Sequence, residues 1–321
     1  MKKVLVTGSN GFVGQAVCRQ LAQKGYLVKA VIMKGTNNIY SSTNTISPII
    51  INSIEPNTDW TDILDNIDTI VHLAARVHVM KENSFKSIEE YRRINTESTI
   101  NLVKNAIKMK VRRIIFLSTV KVYGINSQNR PFIETDLTYP KDPYAQSKLE
   151  AEMKLFEIAS HSALDVVVIR SPLVYGPGVK ANFLRLMQFV NLGIPWPFGK
   201  LNNTRSYIYL ENLADAIITC SNHSAAANQI FLVSDGHDMS TPELLRNLSI
   251  SLGKISRMFN FNGSLFYKLC KLLRKTEQVN RLFGSLTVDT SKIRRELNWT
   301  PPYKVKEGLR ETAEWFKKTY N

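Results

Sequence analysis

Short apolar runs alternate with amphipathic stretches along the first half of the chain. The runs cover residues 2–6, 27–33, 69–73, 114–117 and 166–169. Between the first two runs, apolar residues fall at helical spacing, as at Val13, Val17 and Leu21. Residues 89–109 and 144–159 are also predicted to be helical. Strands that are apolar throughout and alternate with helices indicate a parallel sheet covered by helices on both faces.

The pattern loosens after Arg170. Segments rich in Pro, Gly and Asn, at 172–178 and 193–203, alternate with predicted helices at 182–191 and 242–252. Such a composition suits a smaller lobe that closes over the carboxyl edge of the sheet, where open α/β sheets bind ligands.

Two later apolar runs, 207–210 and 230–233, flank a predicted helix at 213–219. We expect both runs to return to the main sheet, so that the chain crosses between lobes more than once. The sheet domain is then predicted to comprise residues 1–175 and 204–235, and the smaller lobe residues 176–203 and 236–321.

A glycine-rich turn, VTGSNGFVG, follows the first strand and contains Gly8, Gly11 and Gly14. Glycines here allow a sharp turn, a close approach of the backbone to a pyrophosphate, and tight packing of helix on sheet. The helix begins with Phe12 and Val13, and its amino terminus would face the phosphates. A purely structural turn is the alternative, but a preceding apolar strand and a following amphipathic helix favour dinucleotide binding. The predicted fold is a Rossmann-type, doubly wound parallel α/β sheet with a smaller α/β substrate-binding lobe.

The end of the second strand lacks the acidic residue that commonly holds the adenosine ribose of NAD. No Asp or Glu occurs before Glu55, and the strand ends instead at Met33 and Lys34. This neutral-to-basic environment favours NADP(H) over NAD(H), because a cation suits the 2′-phosphate. NAD(H) stays open, since Thr36 or the asparagines at 37 and 38 could hold a plain ribose, and Lys34 could simply be solvated.

Composition adds limits to this picture. The 321 residues are 44% hydrophobic and 21% charged, typical of a globular protein. Cys18, Cys220 and Cys270 are scattered and frame neither a disulfide nor a metal site, which favours a reducing compartment. The amino terminus has too few apolar residues for a signal peptide, and no run is long enough to span a bilayer. A cytoplasmic location is the expectation.

The formal charge of +15 is concentrated near the carboxyl terminus. Residues 251–321 contain 15 Lys or Arg and 6 Asp or Glu. Such a surface attracts nucleic acid, anionic membranes or phosphorylated small molecules. No DNA- or RNA-binding motif accompanies the charge, so nucleic acid is not expected as a partner.

The segment DPYAQSK places Tyr144 and Lys148 four positions apart, on one face of a predicted helix. A phenol beside an ammonium group can act as a proton donor. The spacing alone is weak evidence, because Tyr267 and Lys271 repeat it.

Seven motifs in order make the chain resemble the extended short-chain dehydrogenase/reductases, and within them the nucleotide-sugar epimerases, dehydratases and ketoreductases. The motifs are TGSNGFVG, HLAA at 72–75, LSTVKVYG at 117–124, PYAQSK at 143–148, RSPLVYGPG at 170–178, TRSYIYLENLADAI at 204–217 and LNWTP at 297–301.

The resemblance implies catalytic roles for three residues. Tyr144 would exchange a proton with a sugar hydroxyl oxygen while hydride moves to or from the nicotinamide. Lys148 would hold the nicotinamide ribose and favour the tyrosinate. Thr119, where serine is more common, would hydrogen-bond the reacting oxygen. Ser118 is the alternative at this position, although alternate strand residues face opposite sides.

Further residues are implied in cofactor binding. Leu73, Ala74 and Ala75 of HLAA would give the cofactor room, and Asn95 would support the same region. His72 of this motif is expected to be a packed residue and not an acid or base.

The resemblance places other residues at the sugar nucleotide. Arg205 would contact the diphosphate, Asn182 the same region, and Pro197 and Phe198 the base; a UDP-sugar is the implied substrate. Arginine grips phosphate oxygens well. The alternative is that Arg205 only pairs with Glu211 or Asp215.

Two reactions at sugar C4 fit the resemblance. The segments ARVHVM, GIPWPFG and SLTVDTSKIRRELNWTPP are similar to bacterial enzymes of UDP-linked N-acetylhexosamines in surface-polysaccharide synthesis. We expect a 4-ketoreductase acting on a 4-keto-6-deoxy sugar with NADPH, and the alternative is a 4-epimerase that keeps NAD bound. A 4,6-dehydratase is less expected, because Val120 and Lys121 replace an Asp-Glu pair. A non-catalytic dinucleotide-binding regulator is a remote alternative, since Tyr144 and Lys148 are both retained.

Partner expectations are limited to two. The family commonly forms homodimers through two helices, here residues 89–109 and 144–159. Residues 264–275, SLFYKLCKLLRK, have the pattern of a basic amphipathic helix that could bind a membrane surface weakly, although a helix of the substrate lobe is preferred.

Overall fold

Nine strands and nine α-helices are found in the part of the chain that the structure, a computed structural model, describes: residues 2–36, 40, 42–77, 84–127, 130–196, 199, 201–259 and 284–320. The strands are β1 (Lys3–Thr7), β2 (Leu27–Met33), β3 (Ile46–Ile51), β4 (Thr69–His72), β5 (Arg113–Thr119), β6 (Asp165–Ser171), β7 (Leu173–Tyr175), β8 (Tyr207–Tyr209) and β9 (Gln229–Leu232). The helices are α1 (Phe12–Gln23), α2 (Ser84–Tyr91), α3 (Ser98–Lys108), α4 (Pro143–Ala159), α5 (Ala181–Asn191), α6 (Leu210–Asn222), α7 (Thr241–Leu252), α8 (Ser291–Leu297) and α9 (Val305–Tyr320).

Seven strands form one parallel sheet in the order β3-β2-β1-β4-β5-β6-β9. The strand order reverses between β1 and β4, where Thr7 lies beside His72 at the carboxyl ends. This is the switch point at which sheets of this kind bind ligands. The predicted Rossmann-type sheet is confirmed.

Both faces of the sheet are covered, which explains why its strands are apolar throughout. Val4 and Val6 face a core shared with α1 and α6, whereas Leu5 faces the opposite core, shared with α3 and α4. Residues of α7 and α9 also belong to the first core, so the carboxyl-terminal part of the chain packs directly on the sheet's helical layer.

The run at 207–210 does not return to the main sheet, contrary to the expectation. It forms β8, which pairs in parallel with β7 as a separate two-stranded sheet. The place beside β6 is taken by β9, so the expectation for 230–233 is confirmed. Tyr209 of β8 is buried under α9 at Gly308, where an added Cβ would lie 2.7 Å from the tyrosine ring. The Tyr175 hydroxyl on β7 donates a hydrogen bond to the Asp235 carboxylate at 2.8 Å.

One main-sheet strand was missed. The strand β3 pairs with β2 at the sheet edge, and its Pro48 is tolerated there because an edge strand needs fewer backbone donors. The predicted helix 89–109 is also divided, because a π-helix at Arg92–Glu97 joins α2 to α3.

Residues 264–275 and Cys270 lie outside the described residues, so the amphipathic-helix prediction is not addressed. Cys18 and Cys220 are buried free thiols. Among the helices that the structure describes, none has the length and apolar character needed to cross a membrane.

Candidate active site

The glycine turn leaves no room for side chains. Gly8 has a φ of +67°, and an added Cβ would lie 2.8 Å from the Ala74 backbone nitrogen. A Cβ on Gly14 would lie 2.1 Å from the Gly8 oxygen, and one on Gly11 would lie 3.0 Å from the same atom. The backbone is therefore free to approach a ligand at the start of α1, where Phe12 begins the helix. This cradle fits the pyrophosphate of a dinucleotide.

The turn after β2 carries the residues that would meet the adenosine ribose. Lys34 and Thr36 are exposed. The Thr36 hydroxyl accepts a hydrogen bond from Asn10 of the glycine turn at 2.8 Å and donates to the Met33 carbonyl at 2.6 Å. Residues 37 and 38 lie outside the described residues. The described part of this turn presents a hydroxyl and a cation, which is compatible with either NAD or NADP.

His72 is buried at the end of β4. Its Nδ1 lies 2.7 Å from the Thr7 hydroxyl and its Nε2 lies 2.9 Å from the Thr99 hydroxyl. Because Thr99 donates its proton to the Asn95 carbonyl, its oxygen accepts from His72, which assigns the ring proton to Nε2. Burial, followed by the charge of Lys148, lowers the pKa of His72 to about 3. The prediction of a packed histidine is confirmed.

Asn95 joins the segment after β4 to helix α4. Within the π-helix its side chain accepts from the Arg76 N–H at 2.7 Å, and it donates to the Arg76 carbonyl at 3.1 Å and to the Ser147 hydroxyl at 3.0 Å. Ser147 precedes Lys148 and donates to the Tyr144 carbonyl at 2.9 Å. A π-helix often marks a functional position, and here it aims an amide at three backbone or hydroxyl partners.

Helix α4 begins at Pro143, one residue before the predicted start. Asp142 caps it by accepting a backbone N–H hydrogen bond at 2.8 Å, and Pro143 occupies the first helical position. Asp142 also pairs with Lys121 at 3.1 Å. The cap fixes the first turn, which holds Tyr144.

Tyr144 is half-buried between two elements. Its ring meets Tyr91 edge-on with centroids 6.3 Å apart, and the Lys121 ammonium lies 5.9 Å from its centroid. Burial, with smaller effects of Asp142 and Tyr91, raises the pKa of Tyr144 above its ordinary value. The phenol therefore holds its proton at neutral pH before substrate arrives.

Lys148 lies one turn after Tyr144 and is almost fully buried, with 2% of its surface exposed. Its ammonium lies 3.7 Å from the centroid of Phe116 on β5. Burial lowers the pKa of Lys148 to about 7, and the nearby Glu152 carboxylate opposes that effect. A lysine with this pKa exchanges its proton readily at neutral pH.

Thr119 and Ser118 end β5. Thr119 accepts a hydrogen bond from the Lys121 N–H at 3.3 Å and caps a 3₁₀ helix at Val120–Tyr123. Ser118 is buried, and no described group hydrogen-bonds its hydroxyl.

Two of the predicted substrate residues, Asn182 and Arg205, lie among the described residues. Asn182 is exposed near the start of α5. Arg205 donates to the Gly284 carbonyl at 2.9 Å, and its backbone pairs with Met239. Pro197 and Phe198 lie outside the described residues.

The alternative partners of Arg205 are engaged elsewhere. Glu211 pairs with Arg19, and Asp215 pairs with Lys24 at 2.8 Å. Neither pair involves Arg205.

The sequence reasoning missed a buried ion pair behind α4. Glu152 and Arg170 are 2% and 4% exposed, and their charged groups lie 2.6 Å apart. A signal was present, because Arg170 directly follows the apolar run 166–169 within β6.

The sequence pattern of the NAD dependent epimerase/dehydratase family matches residues 4–234, which include the glycine turn, the π-helix and α4. The chain belongs to this family and is an NAD(P)-dependent nucleotide-sugar enzyme of the epimerase/dehydratase class. The resemblance to extended short-chain dehydrogenase/reductases is thereby confirmed.

Individual relatives cover the whole chain. The UDP-glucose 4-epimerase of Vibrio cholerae is 42% identical over 323 residues, spanning 100% of this chain and 97% of the relative. Human dTDP-D-glucose 4,6-dehydratase is 25% identical over 337 residues, spanning 100% and 91%. MoeE5 in complex with UDP-glucose and NAD has a TM-score of 0.77 at 25% identity, covering 99% of this chain and 100% of that one. The UDP-N-acetylglucosamine 4-epimerase from Methanobrevibacter ruminantium M1, in complex with UDP-N-acetylmuramic acid, shares the fold with a TM-score of 0.79 at 24% identity, covering 99% and 98%.

Proposed function

We propose that the protein is a 4-epimerase of a UDP-linked hexose or N-acetylhexosamine that works with bound NAD. The observation that carries this proposal is the 42% identity, over the whole chain, to a UDP-glucose 4-epimerase. It is supported by Tyr144 and Lys148, which lie one turn apart on α4. The sequence-based preference for a 4-ketoreductase has less support than this alternative.

The cofactor would be held by the glycine turn, by the segment at Leu73, Ala74 and Ala75, and by Lys148. When bound, its nicotinamide supplies reversible hydride transfer at sugar C4. As the tyrosinate, formed when its phenol proton leaves to solvent on binding of cofactor and substrate, Tyr144 would remove the proton from the C4 hydroxyl as hydride leaves C4. As the phenol it would then return that proton to the same oxygen as hydride returns to the opposite face of C4. The protonated Lys148 stabilises the tyrosinate while Tyr144 lacks its proton.

Thr119, like Tyr144, would contact the reacting oxygen. Its hydroxyl donates a hydrogen bond to that oxygen while its own oxygen accepts from the Lys121 N–H. Arg205 and Asn182 would hold the diphosphate, and Pro197 and Phe198 the uracil; these assignments rest on the family resemblance. A homodimer through residues 89–109 and 144–159 has the same basis.

An elimination reaction has little support in this site. The two positions after Thr119 hold Val120, which is buried, and Lys121, which is paired with Asp142. Neither supplies the carboxyl group that a 4,6-dehydratase needs to remove water.

The assay that separates epimerase from reductase uses two substrates. We expect the purified protein to convert UDP-N-acetylglucosamine or UDP-glucose to its C4 epimer with no added reductant, as measured by chromatography. In a parallel reaction, a UDP-4-keto-6-deoxy sugar is mixed with NADPH. Stoichiometric loss of NADPH there, with no epimer in the first reaction, would replace the epimerase proposal with the reductase.

The 4-ketoreductase is a second candidate because of the end of β2. The turn there presents the exposed Lys34 and no carboxylate in its described residues. Such a turn suits the 2′-phosphate of an exchangeable NADPH.

Replacing Lys34 by Glu tests this turn directly. We expect the ratio of NADP⁺ to NAD⁺ affinity to fall roughly tenfold, about 1.4 kcal/mol, because the cation facing the 2′-phosphate becomes an anion. Calorimetry with both dinucleotides measures the ratio. Lys254→Glu makes the same charge change at an exposed lysine after α7 and is expected to leave the ratio unchanged. An unchanged ratio in Lys34→Glu would mean that Lys34 is a solvated lysine, and the reductase would lose its structural support.

A further inference from the structure

Glu152 and Arg170 form a buried ion pair between α4 and β6. Arg170 donates to Glu152 through Nη2 at 2.6 Å and through Nε at 3.1 Å, so the contact is two-pronged. The remaining guanidinium nitrogen donates to the Tyr123 hydroxyl and to the Glu134 carbonyl at 3.5 Å. Every arm of the arginine is therefore engaged by the protein.

The pair lies in the same layer as Lys148. Glu152 follows Lys148 by one turn of α4, and both side chains are buried. Arg170 is in register with Ser118 on β5, two residues from Phe116, whose ring lies under the Lys148 ammonium. Lys148, Arg170 and Glu152 thus bring two cations and one carboxylate together, and the half-buried Glu134 carboxylate accepts from the Leu232 N–H, in register with Arg170.

Other charged or titratable groups around α4 are neutral, paired or exposed. His72 on β4 is neutral because of its low pKa. Outside the layer, Arg92 of the π-helix pairs with Glu150 at 2.7 Å, and Lys121 of the 3₁₀ helix pairs with Asp142. The elements packed against α4 also carry Tyr91, Tyr123, Arg93, which is bound to Glu55 and Glu90, and Arg113, which is bound to Asp165. Glu89, Glu97, Lys104 and Lys108 on these elements are exposed. Glu152 is thus the nearby carboxylate that acts on Lys148 from within the protein.

We propose that Glu152 is a positioning residue that keeps Lys148 in its cationic form, and that Arg170 limits this effect by sharing the carboxylate. Burial alone favours the neutral amine, while an opposite charge one turn away favours the ammonium. A carboxylate held by Arg170 attracts Lys148 less than a free one. The pair would thereby set the fraction of molecules in which Lys148 is protonated when Tyr144 exchanges its proton. This role of Tyr144 rests on the function proposed above.

Substituting Glu152 and substituting Arg170 should shift the pKa of Lys148 in opposite directions. Glu152→Gln removes the attraction, so the pKa of Lys148 should fall by roughly one unit. Arg170→Met removes a cation and releases the carboxylate, so the pKa of Lys148 should rise by a similar amount. A pair that only packs the helix would not shift the titration in opposite directions.

The experiment titrates Lys148 itself, in the full chain without substrate. Protein labelled with ¹³C at the lysine ε-carbon is followed by NMR against pH, and the Lys148 signal is assigned by its loss in Lys148→Arg. We expect the midpoint below that of the unsubstituted protein in Glu152→Gln and above it in Arg170→Met. Glu150→Gln is the matched control, the same change on the same helix at a more exposed pair, and its midpoint should equal that of the unsubstituted protein.

Equal midpoints in all folded variants, or shifts in one direction only, would overturn the proposal. If circular dichroism shows that Arg170→Met does not fold, Arg170→Lys replaces it; the single-pronged ammonium releases part of the carboxylate, and a smaller upward shift is expected. Because the titration needs no turnover, it stands apart from the 4-epimerase assay. Where turnover is found, the pH at which kcat falls on the alkaline side should move down in Glu152→Gln and up in Arg170→Met.

Discussion

Tyr144→Phe is expected to lower kcat for UDP-sugar turnover about 10²- to 10⁴-fold. The substitution removes only the hydroxyl that, in the proposed function, exchanges the C4 proton. The ring keeps its edge contact with Tyr91 and its place beside Lys121, so folding and dinucleotide affinity should be nearly unchanged. Initial rates and calorimetric NAD affinity, measured on the same preparation, separate chemistry from binding.

Tyr139→Phe is the matched control for this prediction. Tyr139 lies five residues earlier and is exposed, with its ring against Lys141. Removing its hydroxyl should leave kcat unchanged. Undiminished turnover in Tyr144→Phe would refute the proposed proton exchange.

The second large effect is expected from Gly14→Ala. Its new Cβ would lie 2.1 Å from the Gly8 oxygen and 2.7 Å from the Ser9 Cα, so the turn must move. Overpacking of this kind costs about 1–3 kcal/mol. If the displaced turn no longer reaches the pyrophosphate, dinucleotide affinity falls about 10- to 100-fold. Thermal unfolding and dinucleotide titration measure the two parts.

Gly25→Ala separates stability from binding. A Cβ there meets nothing within 4 Å, but the φ of +80° disfavours any side chain. We expect lower stability with unchanged dinucleotide affinity. Normal affinity in Gly14→Ala would show that the glycine turn does not hold the cofactor.

Much of the sheet could be predicted because its strands are buried on both faces. Such strands appear in the sequence as uninterrupted apolar runs, and β1, β2, β4, β5 and β6 were found this way. The edge strand β3 was missed, since it follows β2 without a described helix between them and contains Pro48. The prediction that β8 joins the main sheet was wrong, because an apolar run does not show which strand it pairs with.

In the candidate site, too, features that are local in sequence were predicted and those that depend on distant residues were not. The glycine turn, His72 and the helix with Tyr144 and Lys148 are local in sequence and were predicted. The π-helix was not, because π-helices are rare and Arg92–Glu97 contains a single apolar residue, Ile94, too few to reveal a change of helical period. Glu152 and Arg170 were missed because burial of a charge depends on a partner 18 residues away, and charged side chains are usually exposed.

Gly308 restricts which helices could take the place of α9. Helix α9 sits so close to Tyr175 and Tyr209 that an added Cβ would come within 2.8 Å of both. Replacing the carboxyl-terminal helix by that of another protein would therefore require a new packing arrangement for Tyr175 and Tyr209. A replacement helix with any larger residue at position 308 would displace both rings.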